Sequence, residues 1–517
     1  MKNGITLLAL ILSISFSLTA QNEYWVYFTD KNEVEFNPYT FFDKKAIDRR
    51  INHKIDLYNI SDYPVNENYL DAVASSVEAT EIISRWFNAV SVFAYDDQIA
   101  SMLQFPFVKH VEQIYSSNGT LALFKDTAAL VEIDKLLKEQ TTSMEGDLFE
   151  SNHVSGKGVR VAVFDNGFKL VDKHKAFEHL RNNNKIIKTY DFIKRDDFVY
   201  DYGTHGRATL SCICGVYEGT RIGLASDIEV MLARTEYTKR EPFSEEKYWL
   251  AAAEWADKNG ADIISSSLGY THHRYFISDM DGKTSLVTRA ANMAASKGML
   301  VVNSMGNEGA GKWEYMGAPA DADSVLSIGA VHPNTYYHTS FSSFGPTSDK
   351  RLKPNVTAFG HVKAAGSKGL TKTQGTSFSC PLVAGFAACV LQLNPKMTNM
   401  ELFHAIEKSG NLYPYFDYAH GYGIPQASYF LETEGESEKT IRIEEKEDEL
   451  IIIILNEQLN TEHNYLYYHV ANEKGYLDKY AVIEVYQKEA LKLDRNSFGK
   501  GQILRVHYDG NTIEYKL

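Results

Sequence analysis

The stretch Val159-Arg160-Val161-Ala162-Val163-Phe164 is apolar apart from Arg160, and it runs straight into Asp165-Asn166-Gly167. An apolar run of that length, closed by a turn sequence, reads as a strand buried on both faces. Asp262–Ser265, Met299–Asn303 and Val325–Val331 repeat the pattern. Tyr248–Asn259 and Val287–Lys297 carry helical periodicity between them. Strands covered on both sides and alternating with helices specify an α/β fold, a parallel sheet with helices on both faces, extending from Gly156 to about Gly423.

Working outward, 517 residues predict two to four domains. Residues 21–115 mix aromatic and β-branched runs (Tyr24–Phe28, Val90–Phe93, Val108–Ile114) with the helix-like stretches Leu70–Val77 and Glu81–Trp86, a small α+β unit. Residues 116–155 read as a polar connector with a helical stretch at Ala128–Leu137, and 156–430 as the main domain. Residues 431–517 open on a charge run, a boundary or an exposed first strand. They continue as short strands at Leu450–Leu455, Tyr465–Val470, Tyr480–Tyr486, Gln502–His507 and Thr512–Lys516, as in a β-sandwich-like module. Lys2, the apolar run Ile5–Leu18 and the small pair Thr19-Ala20 predict a cleaved signal peptide over 1–20, with an uncleaved anchor as the alternative. The expectation is an exported protein, secreted or at the cell surface, with no membrane span once the signal is removed. A net charge of −14 argues against nucleic-acid partners, and four cysteines are too few for a disulfide scaffold.

In open parallel sheets, chemistry gathers at the carboxyl ends of the strands. Asp165-Asn166-Gly167, Ser265-Ser266-Ser267-Leu268-Gly269 and Ser304-Met305-Gly306-Asn307-Glu308-Gly309 all fall there. Gly203-Thr204-His205-Gly206 opens one helix and Gly375-Thr376-Ser377-Phe378 opens another. A serine hydroxyl needs a base to become a nucleophile, an imidazole suits that task, and a buried carboxylate fixes the imidazole's tautomer. A serine at a helix N-terminus also offers its own N–H to an oxyanion, and a side-chain amide can supply a second donor. Ser377, His205, Asp165 and Asn307 are the candidates for these four roles.

The order Asp, His, Ser with these flanking residues resembles the subtilisin-like serine proteases, family S8. Val161-Ala162-Val163-Phe164-Asp165-Asn166-Gly167 is similar to the family's aspartate motif, His205-Gly206 to its histidine motif and Gly306-Asn307-Glu308-Gly309 to its oxyanion motif. Gly375-Thr376-Ser377-Phe378-Ser379-Cys380-Pro381 is similar to its serine motif, and Ser340–Pro346 resembles its Phe-Ser-x-x-Gly-Pro turn. The resemblance implies a serine endopeptidase acting on peptides or proteins, with Ser267, Leu268, Gly269, Ser304, Met305 and Gly306 flanking the substrate. It also implies that 21–115 is a pro-domain, an intramolecular inhibitor cut free between about Tyr115 and Ser151. The chemistry so implied requires no cofactor; relatives often carry structural calcium, for which the sequence locates no site. The C-terminal module is similar to sorting modules of exported Bacteroidetes-type enzymes, with a plain accessory β-domain as the alternative. Arg207 departs from the family's His-Gly-Thr and puts a cation beside the imidazole.

The rivals are an inactive binding protein on the same fold and a nucleotide-binding α/β protein, the latter without a Gly-x-Gly-x-x-Gly or Walker loop. Cys212, Cys214, Cys380 and Cys389 read as buried thiols, with a bridge to the serine helix as the alternative. Asp279-Met280-Asp281-Gly282 begins like a calcium loop, but Ala290 occupies the place of the closing Glu. His272-His273 reads as a surface pair and the five tryptophans as core.

Overall fold

The computed structural model describes residues 21–114, 133–238, 242–431, 439–456 and 464–516. The expected signal peptide, residues 115–132 of the expected processing region and the boundary at 432–438 lie outside the described residues. Two compact units result, one from residues up to 34 together with 64–115, the other from 35–63 and everything after 115.

The smaller unit is an antiparallel sheet in the order Ala79–Ser84, Ala89–Ala94, Asn22–Phe28, Val108–Ile114, with helices Glu67–Ala74 and Asp96–Met102. Val26, Val73, Val90 and Val92 are fully buried in its core. Glu81–Trp86, expected to be helical, falls largely in a strand. Its apolar run is too short to display one period, and pairing decides it: Ile82 is buried while Ile83 points outward.

The larger unit is built on a seven-stranded parallel sheet. Its order is Val356–Phe359, Val325–Val331, Leu300–Ser304, Ile263–Ser266, Arg160–Asp165, Glu229–Arg234, Ile186–Asp191. From Arg160–Asp165 the chain fills one side of the sheet, then returns and fills the other. The switch point therefore lies between Arg160–Asp165 and Ile263–Ser266, and open α/β sheets bind ligands at such points, outside the carboxyl ends of the strands. Strand side chains alternate between faces. Val161 and Val163 join the core around helices His205–Cys214 and Thr376–Leu393, whereas the ring of Phe164 meets Trp249 edge-on at 5.4 Å on helix Ser244–Lys258. Thr376–Leu393 has the length and apolarity of a membrane span, but 78% of it is buried inside this unit.

Two expected boundaries move. Helices Ile133–Thr142 and Gly146–Ser151 are not a loose connector: Leu136, Met144 and Phe149 enter the main core. Gln140 is fully buried, donating to the carbonyls of Ile222 and Lys363 and accepting from the Lys363 N–H. Residues 35–63, expected within the first unit, belong to the second. The reason is electrostatic. The buried Arg49 and Arg50, on helix Lys44–Asn52, pair with the buried Asp257.

The C-terminal residues form a three-stranded and a four-stranded antiparallel sheet around a common core that includes Ile452, Leu466, Val470 and Val506. Ile441–Lys446 and Glu489–Asp494 are further strands; charges on their exposed faces hide the alternation. The module is seated on the end of the main domain, where the His469 ring bonds the Phe416 carbonyl at 2.6 Å and stacks on Tyr415.

The two site-bearing helices are packed tightly at Gly385, where an added Cβ would lie 2.8 Å from the Ile213 carbonyl oxygen. Gly385→Val is expected to force them apart at a cost of about 1–3 kcal/mol, read as a lowered urea midpoint.

Candidate active site

Asp165 ends the strand Arg160–Asp165 and is 1% exposed. A buried carboxylate must have its oxygens filled. Here the Asn166 N–H donates at 2.8 Å, the Thr209 hydroxyl at 3.1 Å and His205 Nδ1 lies 2.9 Å from both oxygens. Thr209 lies one turn along the helix that His205 begins, so both reach the same carboxylate. Gly206 permits this approach, since a Cβ there would fall 2.4 Å from the Gly167 carbonyl oxygen and 2.9 Å from the Asp165 Cβ. Burial of the His205 ring disfavours its charged form, but the charge and hydrogen bond of Asp165 outweigh that and hold its pKa above the ordinary value of 6.5. The ring stays about one third exposed, with Nδ1 committed to Asp165.

Ser377 is the second residue of helix Thr376–Leu393 and half-buried. Its hydroxyl donates to the Ser267 carbonyl at 3.3 Å, and the Ser267 hydroxyl donates back to the Ser377 carbonyl at 2.9 Å. His205 meets the same helical turn through Phe378, ring centroids 5.5 Å apart. Among the described residues no hydrogen bond joins His205 to Ser377; the serine hydroxyl is turned to Ser267 instead.

Asn307 accepts at Oδ1 from the Thr376 N–H at 2.9 Å and from the Thr376 hydroxyl at 3.0 Å. A backbone N–H can only donate, so the amide oxygen must face Thr376 and Nδ2 remains the outward donor. The Gly306 N–H donates to the Thr376 hydroxyl at 3.2 Å. Ser343, in the Ser340–Pro346 turn, braces the same loop: its N–H donates to the Gly306 carbonyl and its hydroxyl accepts from the Glu308 N–H, each at 3.0 Å. Thr376, Ser343 and Thr209 were not among the expected site residues. Each lies in or beside a quoted motif, but its partner is remote in sequence.

A match to the Peptidase S8 subtilase family covers residues 156–423, more than half of the chain. This protein belongs to the subtilase family. Residues 23–127 match the S8 propeptide domain of Bacteroidota. Subtilisin DY of Bacillus licheniformis is 26% identical over 281 residues, covering 54% of this chain and 93% of that protein. Subtilisin NAT of Bacillus subtilis subsp. natto is 27% identical over 320 residues, 59% and 76% of the two chains. Among solved structures, MycP1 from the ESX-1 type VII secretion system aligns with TM-score 0.45 at 21% identity, over 57% of this chain and 86% of that one. The chain is accordingly a subtilisin-like serine endopeptidase that carries a propeptide.

The remaining expected residues of this subtilase divide. Gly269 has no backbone hydrogen-bond partner among the described residues. Leu268 and Ser304 are buried, and the Leu268 carbonyl is taken by Asn303 Nδ2 and the Ser304 hydroxyl. Met305 turns its side chain into a core with Met316 and Ala320, its N–H donates to the Ile328 carbonyl and its C=O accepts from the Gly317 N–H. Arg207 does not act on the imidazole, because its guanidinium donates to the carbonyls of Ala365 and Lys169. The four cysteines are free and buried, so the alternative bridge is not formed; burial pushes the Cys380 thiol up to about 12. Asp281 accepts from the N–H groups of Lys283 and Thr284 in a turn. Among the described residues no group of three or more His, Cys, Asp or Glu gathers as a metal site.

The Asp165–His205 pair fixes a titration. Followed by NMR, the His205 ring is expected to titrate above 6.5. In Asp165→Asn, where only burial remains, it should fall below that value. The raised value contributes stability that is complete below pH 6.5 and is lost as pH rises through the folded-state pKa.

Proposed function

We propose that this subtilase is exported as a zymogen and cleaves internal peptide bonds of proteins through Ser377, His205 and Asp165. One observation carries the reading. A buried, fully solvated-by-protein carboxylate holds an imidazole against the first turn of the helix that presents Ser377, and an oriented amide, Asn307, lies on the other side of that turn.

Rotation about the Ser377 Cα–Cβ bond takes the hydroxyl from the Ser267 carbonyl towards His205, and hydroxyl rotors turn within nanoseconds. Oγ then attacks the substrate carbonyl while His205 Nε2 takes its proton. The imidazolium so formed keeps its Nδ1–H on Asp165, which stabilises the charge without accepting the proton. The tetrahedral oxyanion receives hydrogen bonds from Asn307 Nδ2 and from the Ser377 N–H, a donor without an intrahelical partner at this position. His205 returns the proton to the leaving amine, the peptide departs, and water enters by the same route to release the acyl group. These steps use no cofactor. The extended substrate pairs with the open backbone of Gly269, beside Ser267.

The leader-like residues 1–20 and the Bacteroidota propeptide match support export and synthesis with an intramolecular inhibitor. The helix beginning at Ile133 carries core residues, so a cut after it would strip packing from the enzyme. We therefore place processing between residues 116 and 132.

Ser377→Ala is expected to abolish peptide hydrolysis, labelling by a fluorophosphonate probe and self-cleavage. Mass spectrometry of the unsubstituted protein should find a new N-terminus within 117–133. Undiminished processing in Ser377→Ala, or an unlabelled native Ser377, would sink the assignment. Asn307→Ala should lower kcat about 10²–10³-fold with little change in KM. That is the loss that follows removal of the oxyanion amide in a subtilisin.

A further inference from the structure

Residues 35–63 lie inside the stretch that matches the propeptide, 23–127, yet they belong to the same compact unit as the peptidase domain. Their seat is the C-terminal ends of two helices, Ser244–Lys258 and Leu286–Ser296. Such ends expose carbonyl oxygens without intrahelical partners and carry partial negative charge. Arg49 satisfies both conditions. Its Nε donates to the Lys297 carbonyl at 3.1 Å, another guanidinium nitrogen to the Ala261 carbonyl, and a third to Asp257 at 2.5 Å. Arg50 reaches the second Asp257 oxygen at 2.8 Å, and Lys297 answers in the opposite sense by pairing with Asp62 at 3.0 Å. All five side chains are no more than 5% exposed. Gly260 and Gly298, which follow the two helices, lie directly beneath the segment. Added Cβ atoms there would stand 3.0 Å from the Ala46 nitrogen and 2.7 Å from His53 Nδ1.

This seat is far from the chemistry. Gly260 and Gly298 precede the strands Ile263–Ser266 and Leu300–Ser304, whereas Ser267 and Asn307 follow them. Strands of four or five residues at about 3.3 Å per residue separate the two ends by about 13–17 Å. Removal of the segment would take two guanidinium groups from the buried Asp257 and a carboxylate from the buried Lys297. Charge-assisted hydrogen bonds of this kind are the strong ones, so the segment is held by more than apolar contact.

We propose that residues 35–63 are a retention clip. After the chain is cut downstream they stay seated on the peptidase body as a non-covalent part of the mature enzyme, at the end of the sheet opposite the catalytic cleft. Inhibition and retention are then separable: the rest of the propeptide can be degraded while the clip remains. The proposal rests on the zymogen reading above, and its test is made independent of that reading.

In the full Ser377→Ala chain, sites for an exogenous sequence-specific protease are placed at the 34/35 and 63/64 boundaries and between 127 and 133. After complete cutting and size exclusion in high salt, the peptidase peak is expected to hold one copy of the 35–63 peptide by mass spectrometry. Arg49→Ala/Arg50→Ala should lower the retained peptide by at least about tenfold, a shift of about 1.4 kcal/mol. Loss of the peptide from the body with Arg49 and Arg50 intact overturns the proposal, as does undiminished retention in the double variant. Should the double variant not fold, hydrogen exchange on the cut protein with both arginines decides. Slowed amides across Lys44–Asn52 support the clip, and exchange at the rate of the free peptide overturns it. Absence of self-processing in the active chain would count against the zymogen reading alone, because the exogenous cuts do not require Ser377.

Discussion

A carboxylate at the end of a buried strand is costly unless every oxygen is engaged, and Asp165 meets that demand with three groups from two elements. Its own turn supplies the Asn166 N–H, and the helix His205–Cys214 supplies both Thr209 and the His205 ring. The helix His205–Cys214 must therefore begin where Asp165 ends, and Gly206 is what lets it come so close. That helix lies against Thr376–Leu393, so the same constraint sets where the first turn around Ser377 stands. The raised pKa of His205 is the electrostatic trace of the arrangement.

The Asn307 loop is held by a different device. Asn307 and Gly306 sit on a loop after Leu300–Ser304, and a loop is positioned only as well as its hydrogen bonds allow. Thr376 grips it from the serine helix through two groups, and Ser343 grips it from the turn behind. Ser377 and Asn307 thereby share one residue's backbone as a reference: Thr376 immediately precedes Ser377. The hydroxyl of Ser377 rests on the Ser267 carbonyl, which ties the serine helix to the turn after Ile263–Ser266.

Domain limits follow charge pairing more than chain order. Nothing in residues 35–63 alone reads as part of a peptidase core. The buried Arg49, Arg50 and Asp62 nevertheless have Asp257 and Lys297 as partners about two hundred residues away. The helices from Ile133 onward behave alike: Leu136 and Phe149 enter a core whose strands begin only at Arg160. Sequence alone places the first in the α+β unit and the second in a connector, because their partners are not local.

By itself, the sequence determined the parallel sheet, since apolar strands closed by Gly turns and separated by helical periods admit little else. It determined which residues could do acyl-transfer chemistry, since Asp165, His205, Asn307 and Ser377 stand in four specific motifs. It determined the family too, because those motifs occur in order along 156–423. What only the tertiary structure decided are the contacts between residues distant in the chain. These include Met305 turned into the core, Arg207 carried to Ala365 and Lys169, Ile82 and Ile83 alternating as a strand, and 35–63 seated on the peptidase body. The physical reason is common to all of them. Local pattern fixes which face a side chain presents, but the partner that face meets, whether a carbonyl, a carboxylate or a packed methyl, is supplied by another part of the fold.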